Sequence, residues 1–200
     1  MQFSFFNNDG NILPQQGDVK LFAHLFSAEE SDDYFEKLLQ QISWKQEPIK
    51  IFGKEVMQPR LTAWYGDKGK AYSYSGINMQ PLEWTPALLA VKQRVEEVAG
   101  VYFNSALLNL YRDGKDSMGW HRDNEKELGI DPVIASVSFG GTRTFKLRHY
   151  DTKKNTVSVE LTHGSLLLMQ GQTQHYWEHS IPKTANAVAQ RINITFRIIR

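Results

Sequence analysis

Two hundred residues, 41% apolar and 22% charged, suit one globular domain that buries roughly 70% of the surface its unfolded chain exposes. A net charge of +1 excludes bulk electrostatic attraction to nucleic acid, so any such contact needs a local patch. The absence of cysteine excludes disulfides, thiolate nucleophiles and sulfur-rich zinc sites, leaving histidine and carboxylate as the available metal ligands.

Residues 1–17, rich in Asn, Gln and Gly, read as a loose lead-in without the basic region and apolar run of a secretory signal. No later stretch approaches the ~20 apolar residues of a membrane span, so a monomeric cytoplasmic protein is expected, nuclear in a eukaryote. A short apolar run at Val19 to Phe22 precedes a helix. Ser27 with Glu30 three residues on has the form of a capping box, and Tyr34, Leu38, Leu39 and Ile42 repeat at helical spacing up to Trp44. A second helix starts near Thr85 and Pro86 and runs through Leu88, Val91, Val95 and Val98 to a stop at Gly100. Pro48 to Pro81, between them, is mostly strand and loop.

From Phe103 onward short strands are predicted at Ser105 to Tyr111, Val133 to Phe139, Thr142 to His149, Thr156 to Leu161, Ser165 to Met169, Gln174 to His179 and Gln190 to Ile199. Gly140-Gly141 is a compact hairpin signal and Asp151 to Asn155 a polar turn. The pattern predicts an α+β, mainly β chain, with an antiparallel jelly-roll barrel over 103–200 buttressed by helices within 18–102.

Three metal-binding side chains and two arginines stand out in the last eighty residues. On an extended strand His121 and Asp123 share one face, so an imidazole and a carboxylate can bind one ion. A second histidine completes a two-His, one-carboxylate facial triad, which leaves Fe(II) with open positions. His175 and His179 compete for that place, because both fall on the same side of the predicted strand. In the last strand Ile192, Ile194, Phe196 and Ile198 take one face and Arg191, Asn193, Thr195 and Arg197 the other. Facing solvent, this is an ordinary half-exposed strand. Enclosed in a barrel, its two guanidiniums require an anion, and a dicarboxylate such as 2-oxoglutarate supplies matching carboxylates.

Several segments together resemble the AlkB family of Fe(II)/2-oxoglutarate-dependent DNA dealkylases: Asn109-Leu-Tyr111-Arg-Asp-Gly, His121-Arg-Asp123-Asn-Glu125, Ala135-Ser-Val-Ser-Phe-Gly140, His163-Gly-Ser-Leu-Leu, His179-Ser-Ile-Pro and Arg191-Ile-Asn-Ile-Thr-Phe-Arg197. The resemblance runs from about Phe52 to Arg197. It implies His179 as the iron ligand, with His121 and Asp123. It implies that Arg191 and Arg197, with Asn109, Tyr111, Asn193 and Thr195, hold 2-oxoglutarate. The implied reaction uses dioxygen, converts the cosubstrate to succinate, hydroxylates an N-alkyl group on a base of the 1-methyladenine or 3-methylcytosine type, and releases formaldehyde.

Tyr72-Ser-Tyr74-Ser-Gly76 is similar to the family's base-recognition segment, with Tyr74 stacking on a flipped base and Tyr72 contacting it or its phosphate. Glu125 shares the Asp123 face if that strand continues, and there accepts from an exocyclic amine. Asn124 stands where the most similar branch carries an acidic residue, which leaves base selectivity open. Pro48-Ile-Lys-Ile-Phe52-Gly53-Lys54, followed by Pro59-Arg60, resembles the double-strand-acting branch, whose phenylalanine fills the gap left by the extruded base. Duplex DNA is therefore the favoured partner, with single strands also possible. Lys50, Lys54, Arg60, Lys68 and Lys70, joined by Arg143, Lys146 and Arg148, are the expected phosphate contacts. The competing readings are an oxygenase acting on RNA or a protein side chain, and a non-enzymatic barrel holding a structural metal.

Overall fold

The computed structural model describes residues 10–51, 54–69, 72–74, 77–154 and 156–200, with the side chains of 50, 51, 72–74 and 77–79 excepted. The chain enters through β1 (Asp18–Phe22) and helix α1 (Ala28–Gln41). Both capping-box bonds form: the Ser27 hydroxyl accepts from Glu30 N at 3.1 Å, and the Glu30 carboxylate from Ser27 N at 2.8 Å. Two small hairpins follow, β2 (Pro48–Ile51) with β3 (Lys54–Met57), and, after β4 (Leu61–Gly66), β5 (Tyr72–Tyr74) with β6 (Ile77–Met79). Helix α2 (Pro86–Ala99) is capped by Thr85 and stops at Gly100, whose φ of 67° costs glycine little.

The rest of the chain folds as β7 (Ser105–Tyr111), β8 (Met118–His121), β9 (Ile134–Gly140), β10 (Arg143–His149), β11 (Val157–Leu161), β12 (Ser165–Gln170), short helix α3 (Thr173–Tyr176), β13 (Trp177–Ile181) and β14 (Arg191–Arg197). Among the described residues these strands form a six-stranded sheet, β1-β12-β9-β14-β7-β4, facing a four-stranded one, β11-β10-β13-β8. Successive strands cross between the sheets in the manner of a jelly roll, and all pairings within them are antiparallel.

The large sheet is covered on both faces, and that decides what β14 can be. Its outer face packs Leu108, Val137, Ile194 and Phe196 against Leu38, Leu88, Val91 and Val95 of the two helices. Each such buried aliphatic side chain contributes roughly 1.5–3 kcal/mol. Inside the roll a second cluster gathers Trp64, Phe145, Leu147, Leu167 and Trp177. All seven residues of β14 are consequently buried, so its polar face is enclosed and the half-exposed alternative is excluded.

Two local expectations are corrected. Residues 10–17, though mostly exposed, are anchored: Leu13 enters the inner core, the Asn11 side chain accepts from Leu13 N and Val19 N, and the Trp177 indole donates to Gln15 O at 3.1 Å. One apolar anchor and one turn-forming asparagine are enough to hold a segment whose composition looks loose. The strand expected from Gln174 begins at Trp177, because residues 173–176 make a helical turn in which His175 N and Tyr176 N donate to Gln172 O.

The Gly140-Gly141 turn sets where β14 begins. A Cβ on Gly140 would lie 2.3 Å from Gln190 O and 2.7 Å from the Phe35 ring, and its φ of 86° already favours glycine. Gly141 N donates to Gln190 O at 2.7 Å, which places Arg191 opposite Gly140.

Candidate metal centre and its polar wall

Strand β8 pairs with β13 so that His121 and His179 are direct cross-strand partners, their ring centroids 4.2 Å apart. Strand β8 ends at His121. Asp123 is instead brought in by the following turn, held where its backbone N–H donates to the Gln174 side chain at 2.9 Å. One ligand atom from each of His121, Asp123 and His179 lies within 4.8 Å of the others. His121 Nδ1 is 2.9 Å from Gly119 O, and a carbonyl can only accept, so Nδ1 carries a proton and Nε2 is the ring nitrogen left to face the site. Phe145 stacks on the His179 ring at 5.2 Å and fixes its plane.

The electrostatics suit a cation. Burial pushes the Asp123 carboxyl up, but the Arg197 guanidinium, with smaller contributions from the imidazoles of His179 and His121, outweighs it and holds the group below its ordinary range. His179 is held neutral: burial, with a contribution from His121, lowers its pKa to about 3. Two imidazole nitrogens and one carboxylate form an N,N,O donor set that fits Fe(II).

The arginines differ in their tasks. Arg197 donates to Asp123 Oδ1 at 2.6 Å, so it holds a metal ligand in place. Arg191 is fully buried, donates through Nη2 to Ser138 Oγ at 2.8 Å, and lies 5.2 Å from the centre of the Tyr111 ring. Its Nε and Nη1 have no acceptor among the described residues, and burial lowers its pKa to about 10, which leaves it charged at neutral pH. A buried, charged fork with spare donors is the receptor a carboxylate needs. It lines the same cavity as the triad, with Asn109, Tyr111, Thr195 and Arg197. Asn193 also faces that cavity, yet its amide already makes four bonds, to Ser136 Oγ, Val137 O, Asn109 and Thr195. It supports this wall and has no bonding capacity left for a ligand.

The expected substrate residues fare unevenly. Arg60, expected on a phosphate-facing surface, is 3% exposed, and its guanidinium donates to Asn109, Gln58 and Ser117 O. It immediately precedes β4, and its guanidinium is held inside the roll by these three acceptors. Arg143 is likewise buried, donating to the carbonyls of Asp113, Asp116 and Pro182. Arg148 pairs with Glu178, which Lys153 also reaches, and stacks on Trp120, while Lys54 and Lys68 are exposed. Glu125 does not continue the strand face. It precedes a 3-10 turn at Lys126–Leu128, and its Oε2 is buried without a hydrogen-bond partner among the described residues. Asn124 is exposed. His175 sits on α3, 2.8 Å from Asp131, and is not part of the triad. Phe52, Gly53, Lys70 and Gly76 lie outside the described residues, as do the side chains of Lys50, Tyr72 and Tyr74.

Ser136, Ser138 and Gln174 escaped notice in the sequence. The alternating serines of the 135–140 segment were the available signal: a polar stripe on an otherwise apolar strand, two strand positions that face the polar side of β14.

Comparison with known proteins places this arrangement in context. Residues 18–197 match the 2OG-Fe(II) oxygenase superfamily. Alpha-ketoglutarate-dependent dioxygenase alkB homolog 3 of Rattus norvegicus is 43% identical over 190 residues, covering 90% of this chain and 64% of that protein. DNA oxidative demethylase ALKBH2 of Mus musculus is 43% identical over 185 residues, covering 88% and 77%. The chain thus spans just under two thirds of the length of the rat protein. A solved structure of OsALKBH1 superposes with a TM-score of 0.66 at 16% identity, covering 93% of this chain and 99% of that one, and shares the fold.

Proposed function

Because the chain belongs to the 2OG-Fe(II) oxygenase superfamily and to its AlkB branch, we propose that it repairs DNA by oxidative removal of N-alkyl groups from bases of the 1-methyladenine and 3-methylcytosine type. The observation that carries the reading is the meeting of His121, Asp123 and His179 beside the buried, under-bonded guanidinium of Arg191. Iron bound there, with 2-oxoglutarate and dioxygen, supplies the oxidant that hydroxylates the alkyl carbon, from which formaldehyde is lost.

The chain's own residues do the rest. His121 and His179 offer ring nitrogens, and Arg197 keeps the Asp123 carboxylate oriented through Oδ1. Arg191 receives the distal carboxylate of the cosubstrate with Tyr111 and Thr195 beside it. Glu125, with a buried oxygen that accepts nothing from the described residues, receives the exocyclic amine of the base and offsets its positive charge. Alkylated bases of this type have lost normal pairing, which lowers the cost of extruding them. The Phe52-Gly53-Lys54 segment favours a duplex substrate, with Tyr74 stacking on the flipped base, Tyr72 contacting it or its phosphate, and Asn124 near the base. The enzyme is proposed to act as a monomer in the cytoplasm, or in the nucleus of a eukaryote.

Formaldehyde release from methylated duplex DNA, single-stranded DNA, RNA and a peptide tests this directly. Duplex DNA is expected to turn over, and Phe52→Ala to depress duplex activity far more than single-strand activity. Turnover of peptide alone would remove the repair reading; equal losses on both DNA forms would remove the wedge.

A further inference from the structure

We infer that Arg60 is a positioning residue for the cosubstrate, fixing the Asn109 amide so that the pocket meets an N–H and not a carbonyl oxygen. A chain of hydrogen bonds crosses three strands of the large sheet, β9, β14 and β7, and ends at Arg60, just before β4. At one end Asn193 Nδ2 donates to Val137 O at 3.2 Å and to Ser136 Oγ at 2.8 Å. Asn193 Oδ1 then accepts from Asn109 Nδ2 at 3.2 Å and from Thr195 Oγ1 at 3.1 Å. At the other end Asn109 Oδ1 accepts from Arg60 Nε at 2.7 Å.

Both ends of this chain have a fixed polarity. A backbone carbonyl can only accept and a guanidinium can only donate, so neither amide between them can be reversed without facing like against like. Asn193 is used up by its four bonds. Asn109 retains one N–H, and it lines the cavity that holds the triad and Arg191. An N–H there attracts a carboxylate, whereas a carbonyl oxygen in its place repels one. Arg60 itself lines a second cavity, which abuts the first at Leu107 and Arg197, and its three partners are all neutral. Its charge therefore adds to the favourable potential behind Asn109. The inference rests on the reading that 2-oxoglutarate lies against Asn109.

The test is calorimetric titration of the Mn(II)-loaded full chain with 2-oxoglutarate, each variant being checked by thermal unfolding. Arg60→Met is expected to raise Kd about tenfold, the net worth of roughly one hydrogen bond. Arg60→Lys, which keeps a donor, is expected to recover part of that loss. Gln58→Leu removes another partner of Arg60 but leaves its bond to Asn109; it is expected to lower Tm and keep Kd within about twofold of wild type. Asn109→Asp keeps the bond to Arg60 but turns an oxygen toward the pocket, and is expected to bind more weakly than Asn109→Ala. Wild-type affinity in Arg60→Met, a Gln58→Leu defect as large as that of Arg60→Met, or tighter binding by Asn109→Asp than by Asn109→Ala would each overturn the inference and leave Arg60 a fold-supporting residue. A wild-type protein that binds no 2-oxoglutarate would overturn the underlying reading and this inference with it.

Discussion

Replacing Asp123 by alanine is expected to reduce turnover to background and to lower folding stability by about 3–5 kcal/mol, because it removes a metal ligand and also strands a buried cation without its carboxylate. The two effects have separate causes. Asp123 is nearly inaccessible, its Oδ1 bonded to Arg197 at 2.6 Å while Oδ2 lies 3.8 Å from His179. Asp123→Asn keeps an oxygen acceptor for Arg197 but no charge for a metal, so it is expected to regain much of the lost stability while turnover stays at background. Urea unfolding and iron-dependent formaldehyde release measure the two quantities. Equal instability of both variants would mean that the oxygen facing Arg197 is unimportant, and metal-dependent turnover by Asp123→Ala would remove this carboxylate from the ligand set.

The parts of this molecule that read well from the chain are those set by local periodicity. Alternation over 191–197 marked a strand with one polar face, and the capping box at Ser27 and the stop at Gly100 marked helix ends; each is a short-range effect carried by adjacent residues. What read poorly depends on partners far apart in sequence. Arg197 reaches Asp123 across 74 positions and Arg60 reaches Asn109 across 49, and no spacing rule encodes either meeting. Arg60 follows a proline in a polar segment and so resembles a surface cation; the pairing of Thr62 with Asn109 brings the residue just before β4 within reach of the Asn109 amide. His175 was placed on a strand by a period of two that the helical turn at 173–176 interrupts. The triad itself was legible as three ligand types, while the choice between His175 and His179 came from resemblance to a family and not from spacing.

Arg191→Met is expected to make the ligand-free protein more stable, by about 1–3 kcal/mol, and at the same time to weaken 2-oxoglutarate binding about 100-fold or more. The signs differ because the same burial acts in both. The guanidinium is buried, bonded through Nη2 to Ser138 with Tyr111 beside it, its Nε and Nη1 have no acceptor among the described residues, and burial, with a contribution from the Arg143 charge, has lowered its pKa to about 10. In the ligand-free protein the charge is a cost, offset only in part by the Tyr111 ring. A carboxylate that arrives with two oxygens turns that cost into affinity, since both partners are then desolvated against each other in a geometry already built. Lysine carries the charge but lacks the planar fork, so Arg191→Lys is expected to bind 2-oxoglutarate more like the methionine variant than like wild type. Thermal unfolding of the ligand-free proteins and calorimetric titration of their Mn(II) forms decide the matter. Affinity left intact in Arg191→Met would show that the dicarboxylate is held elsewhere, and a loss of stability comparable to that of Asp123→Ala would show that this cation is paired in the ligand-free state.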